Sequence, residues 1–149
     1  VPIKVTYFLS LLFAALALGP AMAHLLELPN KIGLSRDDYL TVQQIYRGWA
    51  LLGIVVFGAL LSTGALAIAV RRDRKAFIFA FAAFLCIVGT QVVFWTYTYP
   101  ANQATNNWTM LPGNWQELRT SWEYSHATSA VLNLTAVIML IKSLLAKVP

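Results

Sequence analysis

The stretch LLGIVVFGALLSTGALAIAVRRDRK, residues 51–75, decides how this chain folds. Its first twenty residues carry no charge, and its last five include four basic side chains. An apolar run of roughly 20 residues is the length that a helix needs to cross the hydrocarbon core of a bilayer. A basic run directly after it is typical of a loop that stays in the cytoplasm. The stretch therefore predicts a transmembrane helix followed by a cytoplasmic turn.

The rest of the chain has the same character. It is 58% hydrophobic and 11% charged, whereas about a quarter of the residues of a soluble domain are charged. Backbone groups in hydrocarbon must be hydrogen-bonded within their own segment, which favours helices. We therefore predict a single all-α domain over residues 1–149, a four-transmembrane-helix bundle with two structured loops on its outer face. The predicted spans are about 5–26, 49–70, 76–98 and 124–142.

Basic residues divide unequally between the two ends of the predicted bundle. Four lie in the loops that join spans one to two and three to four, among five acidic residues: Lys31, Arg36, Arg47 and Arg119. Seven lie at the other end: Lys4, Arg71, Arg72, Arg74, Lys75, Lys142 and Lys147. The positive-inside rule then predicts that both termini are cytoplasmic, in a bacterial inner membrane. Topology explains the net charge of +5, so nucleic acid is not an expected partner.

The first span has a second interpretation. Residues 1–23 resemble a signal peptide, with Lys4, an apolar run and the sequence AMA before His24. Cleavage there would leave an N-terminal histidine that can bind copper. We expect the segment to be retained as a transmembrane helix that ends at Pro29, in the turn PNKIG.

A short helix is predicted in the first outer loop. Its stretch, residues 34–49, opens with Ser35 and has Asp38 three positions later, which resembles a capping box. Apolar side chains recur after it at approximately helical spacing. An amphipathic helix at the membrane interface is the expected result.

Two histidine–glutamate pairs are the main candidate for chemistry. The only histidines, His24 and His126, each have a glutamate three residues away, Glu27 and Glu123. Residues three apart lie on one side of a helix, and both pairs lie at outer ends of predicted spans. If spans one and four are neighbours, the four side chains converge. We expect His24, His126 and Glu123 to be catalytic residues.

The chemistry of this set has several interpretations. Imidazole and carboxylate groups together suit transition metals, so His24, Glu27, Glu123 and His126 are candidate ligands for one ion of iron, manganese, zinc or copper. A haem between the two histidines is a weaker alternative, because it leaves both glutamates without a role. A hydrogen-bonded cluster that fastens the helix ends, and metal-free acid–base chemistry, remain open as well.

Further polar and aromatic residues flank the same end of the bundle. Gln91 lies within the third span, where an amide in lipid requires a partner. Asn102, Arg119 and Trp122 lie in or beside the second outer loop. We predict that these four residues line a substrate site.

The second outer loop carries a family resemblance. The stretch YPANQATNNWTMLPGNWQELRTSWEYSH, residues 99–126, combines Pro-x-Asn, Leu-Arg-x-x-Trp and a histidine that leads into the fourth span. It resembles the anthrone-oxygenase-like family of small four-helix membrane proteins. The chain differs where Ala127, Thr128 and Ser129 follow the histidine, since family members often have Arg-Thr there. The matching residues are Pro100, Asn102, Leu118, Arg119, Trp122 and His126.

This resemblance implies oxidation of a polycyclic anthrone to a quinone by oxygen. The sequence thus predicts an integral membrane oxidoreductase, an oxygenase, acting on a lipophilic aromatic or quinone-like molecule at a His/Glu site on the periplasmic face. Membrane lipid is an expected partner, and a homo-oligomer or a larger membrane complex is compatible with the apolar surface. The alternative is a non-catalytic accessory subunit of such a complex, in which the His/Glu cluster is structural.

Overall fold

Six α-helices make up most of the chain. The structure, a computed structural model, describes residues 2–147. Short 3-10 turns at Gln44–Tyr46 and Trp49–Leu51 lead into the third helix, and a π-helical turn at Phe94–Thr98 joins the fourth helix to the fifth. In chain order the helices are α1 (Ile3–Lys31), α2 (Arg36–Gln43), α3 (Leu52–Ala69), α4 (Arg74–Val93), α5 (Tyr99–Ala104) and α6 (Trp115–Leu145).

Four continuous helical runs are long and apolar enough to cross a membrane: Ile3–Lys31, Trp49–Ala69, Arg74–Ala104 and Trp115–Leu145. Residues 2–147 contain no β-strand. The predicted all-α bundle of four membrane-spanning helices is therefore confirmed.

The first helix ends within the predicted turn PNKIG, although it extends beyond the predicted span limit near residue 26. α1 continues through Pro29 to Lys31. A proline removes one backbone donor, and local side-chain bonds offset that loss here. The Lys31 ammonium donates to Glu27 one turn earlier at 3.2 Å, a spacing that stabilises a helix. The same ammonium lies near the carboxyl end of the helix, where positive charge is favourable.

The other outer ends also extend beyond the hydropathy signal. The third run ends at Ala104 rather than near 98, and α6 begins at Trp115 rather than near 124. Hydropathy detects only the part of a helix that faces lipid, whereas the amphiphilic turns beyond it remain helical because they pack against protein. As a result, both His/Glu pairs lie well inside their helices rather than at the ends.

The four long helices form a ring in which α1 contacts α3 and α6, and α4 contacts α3 and α6. Small residues fill most of the centre, which lets the helices approach closely as in other membrane bundles. Larger apolar side chains such as Phe8, Leu61 and Ile68 point outward. The buried alanines of this core cluster are Ala14, Ala59, Ala67, Ala76, Ala80, Ala83 and Ala136.

Glycine serves two different purposes beside this ring. A Cβ added at Gly58 would lie 2.6 Å from the ring of Phe13, so Gly58 allows α3 to pack on α1. Gly48 has a φ of 88°, a left-handed conformation that only glycine adopts without strain. It turns the chain between the 3-10 turns that precede α3.

The start of α1 and the end of α6 lie at the same end of the bundle. The Tyr7 hydroxyl donates to the Ser143 carbonyl at 3.0 Å, and the Ser143 hydroxyl donates to the Ala76 carbonyl at 2.8 Å. Lys147 pairs with Asp73 at 3.2 Å. These contacts tie the start of α1 and the start of α4 to the end of α6.

At the opposite end, α2 covers the bundle. Ser35 caps the helix as predicted, since its hydroxyl oxygen accepts from the Asp38 backbone N–H at 3.3 Å. Tyr39 is fully buried and contacts the rings of Trp108 and Trp115. The helix therefore directs an aromatic side chain into the protein, above the ends of α1 and α6.

Candidate functional site

The two histidine–glutamate pairs meet where α1 packs on α6. The rings of His24 and His126 are stacked, with centroids 4.1 Å apart and planes inclined by 28°. This contact confirms that the pairs converge, as their depth and helical spacing predicted. We call the group formed by His24, Glu27, Lys31, Tyr39, Tyr46, Glu123 and His126 the ion cluster.

The centre of the ion cluster is Lys31, which sequence reasoning assigned only to a loop. Its ammonium lies 3.2 Å from Oε1 of Glu27 and 3.1 Å from Oε1 of Glu123. It also donates to the Tyr46 hydroxyl at 2.8 Å, and the side chain is buried. Its spacing of seven from His24 and four from Glu27 could have placed it on the same helix face. The proline before it concealed that signal.

Glu27 is held by three donors on one oxygen. His24 Nδ1 lies 2.8 Å from Oε1, and Lys31 and the Tyr46 hydroxyl donate to the same atom. A carboxylate only accepts, so the proton of a neutral His24 ring is on Nδ1 and Nε2 is the basic nitrogen. The carboxylate thus fixes both the orientation and the tautomer of His24.

Glu123 is fully buried and is held differently. Its Oε1 accepts from the Tyr39 hydroxyl at 2.8 Å, and that hydroxyl accepts from Gln43 at 2.6 Å. Its Oε2 is buried without a hydrogen-bond partner among the described residues. An unpaired carboxylate oxygen in such a place is costly, and it is a natural acceptor for a proton.

The two tyrosines are donors and not bases. Burial raises the pKa of Tyr39, and the negative charge of Glu123 raises it further. Burial likewise raises the pKa of Tyr46, which donates to Glu27. Both phenols therefore keep their protons at neutral pH. They stabilise the carboxylates and leave proton acceptance to the histidines and glutamates.

Charge in the ion cluster does not balance. One ammonium faces two carboxylates, so with neutral imidazoles the group has one more negative than positive charge. An unpaired charge away from water is unfavourable. The cluster is thus suited to accept one proton, and the stacked imidazoles are the neighbouring groups that can carry it.

Aromatic rings enclose the ion cluster. The Trp122 ring lies 4.2 Å from His126 and 5.1 Å from His24, between centroids. Tyr46 and Trp49 contact His24 at 4.6 and 5.6 Å. The Lys31 ammonium lies over the rings of Tyr46 and Trp122, and such cation–π contacts stabilise a desolvated ammonium.

The predicted lining residues separate into three groups. Trp122 contacts both histidines directly. Asn102 and Arg119 instead support residues around the ion cluster. The Asn102 Oδ1 accepts from the indole N–H of Trp122 at 2.9 Å. Arg119 donates to the Leu34 carbonyl at 2.9 Å. The Gln91 amide donates to its neighbour Thr90. No hydrogen bond or ring contact within residues 2–147 joins Gln91 to the ion cluster.

A strained turn in the second outer loop positions the ring of Trp108. Asn106, Asn107 and Trp108 have successive φ values of 49°, 54° and 60°. Left-handed backbone costs about 1–2 kcal/mol for each non-glycine residue. Buried Trp108 offsets that cost, because its indole N–H donates to Asn102 at 3.1 Å and Gln44 donates to its carbonyl at 2.7 Å. The loop is thereby fastened to the segment after α2.

As it is arranged, the ion cluster has an ammonium at its centre where the predicted metal ion would bind, and the metal stays a prediction. The Lys31 ammonium occupies the space between the two carboxylates. Imidazole lone pairs lie in the ring plane, and two stacked rings direct them side by side rather than toward one ion. Across residues 2–147 no group of three or more His, Cys, Asp or Glu side chains is placed to hold a metal. The face contact between the histidines leaves no space for a porphyrin either.

An open, largely apolar groove adjoins the ion cluster from the side. It has a volume of about 340 Å³ and is lined by Pro20, Gly48, Trp49, Leu51 and Leu52. Pro20 lies about one helical turn before His24. Trp49 lines the groove and contacts the His24 ring. The Trp49 side chain would therefore lie between a lipophilic molecule in the groove and His24.

Comparison of the chain with protein-family models, with curated proteins and with solved structures finds no match. The resemblance of residues 99–126 to the anthrone-oxygenase-like family therefore stays a prediction.

The metal content of the purified protein tests whether the ion cluster binds a metal ion. We expect protein from unsupplemented cells to carry no stoichiometric metal and no haem absorption, because the Lys31 ammonium lies between the two carboxylates. The Lys31→Ala variant frees both carboxylates and should retain more zinc or manganese than the native protein when each is dialysed against the metal. Elemental analysis and an absorption spectrum measure both, with circular dichroism to confirm that the helices form. Stoichiometric metal in the native protein that His126→Ala removes would contradict this expectation and support the four-ligand site.

Proposed function

We propose that the protein is a membrane oxidoreductase that uses the ion cluster as a metal-free base toward a lipophilic aromatic molecule. The observation that carries the proposal is the bond from His24 Nδ1 to Glu27 at 2.8 Å, with Lys31 and Tyr46 holding the same carboxylate. A carboxylate that orients an imidazole, whose other nitrogen is then the base, is a recurrent device for proton transfer.

His24 would remove a proton from a hydroxyl group, or from a CH₂ group whose anion is conjugated with a carbonyl through an aromatic ring. The resemblance to the anthrone-oxygenase-like family supports an anthrone-like substrate and dioxygen as the oxidant. In that reaction the ring CH₂ becomes a carbonyl; one oxygen atom enters the product and the other leaves as water with the two hydrogens. Deprotonation raises the electron density of the ring system, so the anion gives electrons to dioxygen more readily than the neutral molecule does.

The surroundings of His24 suit this substrate class. The groove at Pro20 and Trp49 faces outward from the bundle, so a flat aromatic molecule would reach it from the lipid. His126 stacks on His24 and would carry or receive the transferred proton. Glu123, with its unpartnered oxygen, would hold the proton until it is returned to the oxygen that leaves as water.

We further propose that the ion cluster faces the periplasm, with both chain ends in the cytoplasm. Seven basic residues lie at the end that holds the chain termini and four at the other. Lys31 is neutralised by internal ion pairs, which leaves three at the cluster end and increases the asymmetry.

Turnover of anthrone tests the catalytic proposal. Purified protein in lipid nanodiscs should convert anthrone to anthraquinone with uptake of oxygen, after correction for the uncatalysed reaction. His24→Gln should lower kcat by about 10²–10⁴-fold, the usual contribution of a general base. Glu27→Gln should lower it as well, because the ring loses its orientation. Thr135→Ala, a lipid-facing change on α6, is the matched control and should leave turnover unchanged.

Two results would reject the catalytic proposal. Folded native protein that never exceeds the uncatalysed rate would favour the accessory-subunit alternative, with the ion cluster as a helix clamp. Turnover that His24→Gln leaves unchanged would remove the base from its assigned position. Activity that is lost with a chelator and restored by a metal would replace metal-free chemistry with a metal-dependent reaction.

Reporter fusions test the orientation. A reporter inserted after residue 73 should behave as cytoplasmic, and one inserted after residue 107 as periplasmic, because the basic residues concentrate around the first position. The opposite pattern would place the ion cluster on the cytoplasmic side.

A further inference from the structure

A second groove lies at the end of the bundle opposite the ion cluster. It has a volume of about 420 Å³ and runs between the first turns of α1 and the last turns of α3. Ala65 and Ala69 leave room along its length, and Ile68 beside them is 62% exposed. Its lining residues are Thr6, Ala65, Ile68, Ala69, Arg71 and Arg72. The groove is therefore apolar toward the membrane and cationic at its end.

The two arginines of this groove lack an acidic partner in the described part of the chain. Within residues 2–147 neither has a carboxylate within ion-pair distance, and Arg71 makes only a long bond to the Ile68 carbonyl at 3.5 Å. The nearest acidic residue, Asp73, is already engaged. It accepts from the Ala76 backbone N–H at 3.1 Å and pairs with Lys147. These contacts lower the pKa of Asp73. Asp73 is therefore an anion that caps the start of α4 and pairs with Lys147.

An arginine pair above an apolar groove matches a molecule with an anionic head and an apolar tail. Guanidinium groups bind phosphate by paired hydrogen bonds. Free phosphate or a nucleic acid would use the charges but leave the apolar wall uncovered. A phospholipid uses both, because its chain continues along the outward face of the helices. Basic residues at a membrane boundary are also where anionic lipids concentrate.

We propose that this groove is a binding site for one phospholipid with a net negative headgroup. The headgroup phosphate lies between Arg71 and Arg72, and one acyl chain follows Ile68 and Ala65 along α3. The inference does not depend on the catalytic proposal, because it concerns the other end of the bundle and a different ligand.

Native mass spectrometry of the detergent-purified full chain, titrated with phosphatidylglycerol, tests the site. We expect one tightly retained phosphatidylglycerol and weaker retention of phosphatidylcholine. Arg71→Gln/Arg72→Gln should weaken phosphatidylglycerol binding by about tenfold or more, since one lost hydrogen bond between charged groups is worth about that factor. The matched control is Arg74→Gln/Lys75→Gln, which removes the same charge from the same loop but leaves the groove lining intact. It should change binding by less than about twofold.

Competition with glycerol phosphate distinguishes a lipid from a bare phosphate. Millimolar glycerol phosphate should not displace the bound lipid if the chain contributes to binding. Displacement would overturn the lipid assignment and leave a simple anion site. An equal loss in both double variants would overturn the groove itself, because it would show only diffuse attraction between lipid and a basic loop. Equal retention of phosphatidylcholine and phosphatidylglycerol would also overturn the proposal, because it would show no preference for a net negative headgroup.

Discussion

The Lys31 ammonium between Glu27 and Glu123 is the interaction on which the arrangement of this bundle depends. It lies within about 3 Å of a carboxylate on its own helix and of one on α6. A buried charge without a partner costs several kcal/mol, so Glu123 cannot remain ionised unless α1 supplies this cation. The ion pairs stabilise the packing of α1 on α6 in this register. In that register the two histidine rings are stacked.

The outer loops follow from the same constraint. Three charged groups that face one another must be protected from water if their interactions are to be strong. Tyr39 and Tyr46 donate to the carboxylates from the α2 segment, and Trp122 covers the ammonium. Asn102 then binds the indole N–H groups of two tryptophans. The strained backbone at 106–108 is the conformation that places Trp108 within reach of Asn102.

The aromatic rings that enclose the ion cluster also determine how His24 is reached from outside the protein. His24 is buried and oriented by Glu27, but its neighbour Trp49 borders a groove that opens toward the lipid. Under the proposed function, an apolar molecule would approach His24 from the lipid side through this groove. We propose that this arrangement favours deprotonation of a lipophilic substrate over reactions of soluble ones.

Sequence patterns predicted the membrane helices and the meeting of the two His/Glu pairs because both follow from local rules. Span length is set by the bilayer, and residues three apart share a helix face. The patterns did not reveal Lys31, since a proline two positions earlier suggested that the helix had ended. They also missed Tyr39 and Tyr46 as carboxylate partners. Those hydrogen bonds join residues that are 84 and 19 positions apart, and no periodicity encodes them.

Stability measured by unfolding in mild detergent tests the central role of Lys31 most directly. Lys31→Met should destabilise the protein by about 3–5 kcal/mol, the usual result of leaving a buried charge without its partner. Adding Glu123→Gln to that variant should restore a large part of the loss, because it removes the uncompensated carboxylate. Such a rescue is the result predicted here. A Lys31→Met protein as stable as the native one, or a double variant less stable than Lys31→Met alone, would contradict the account.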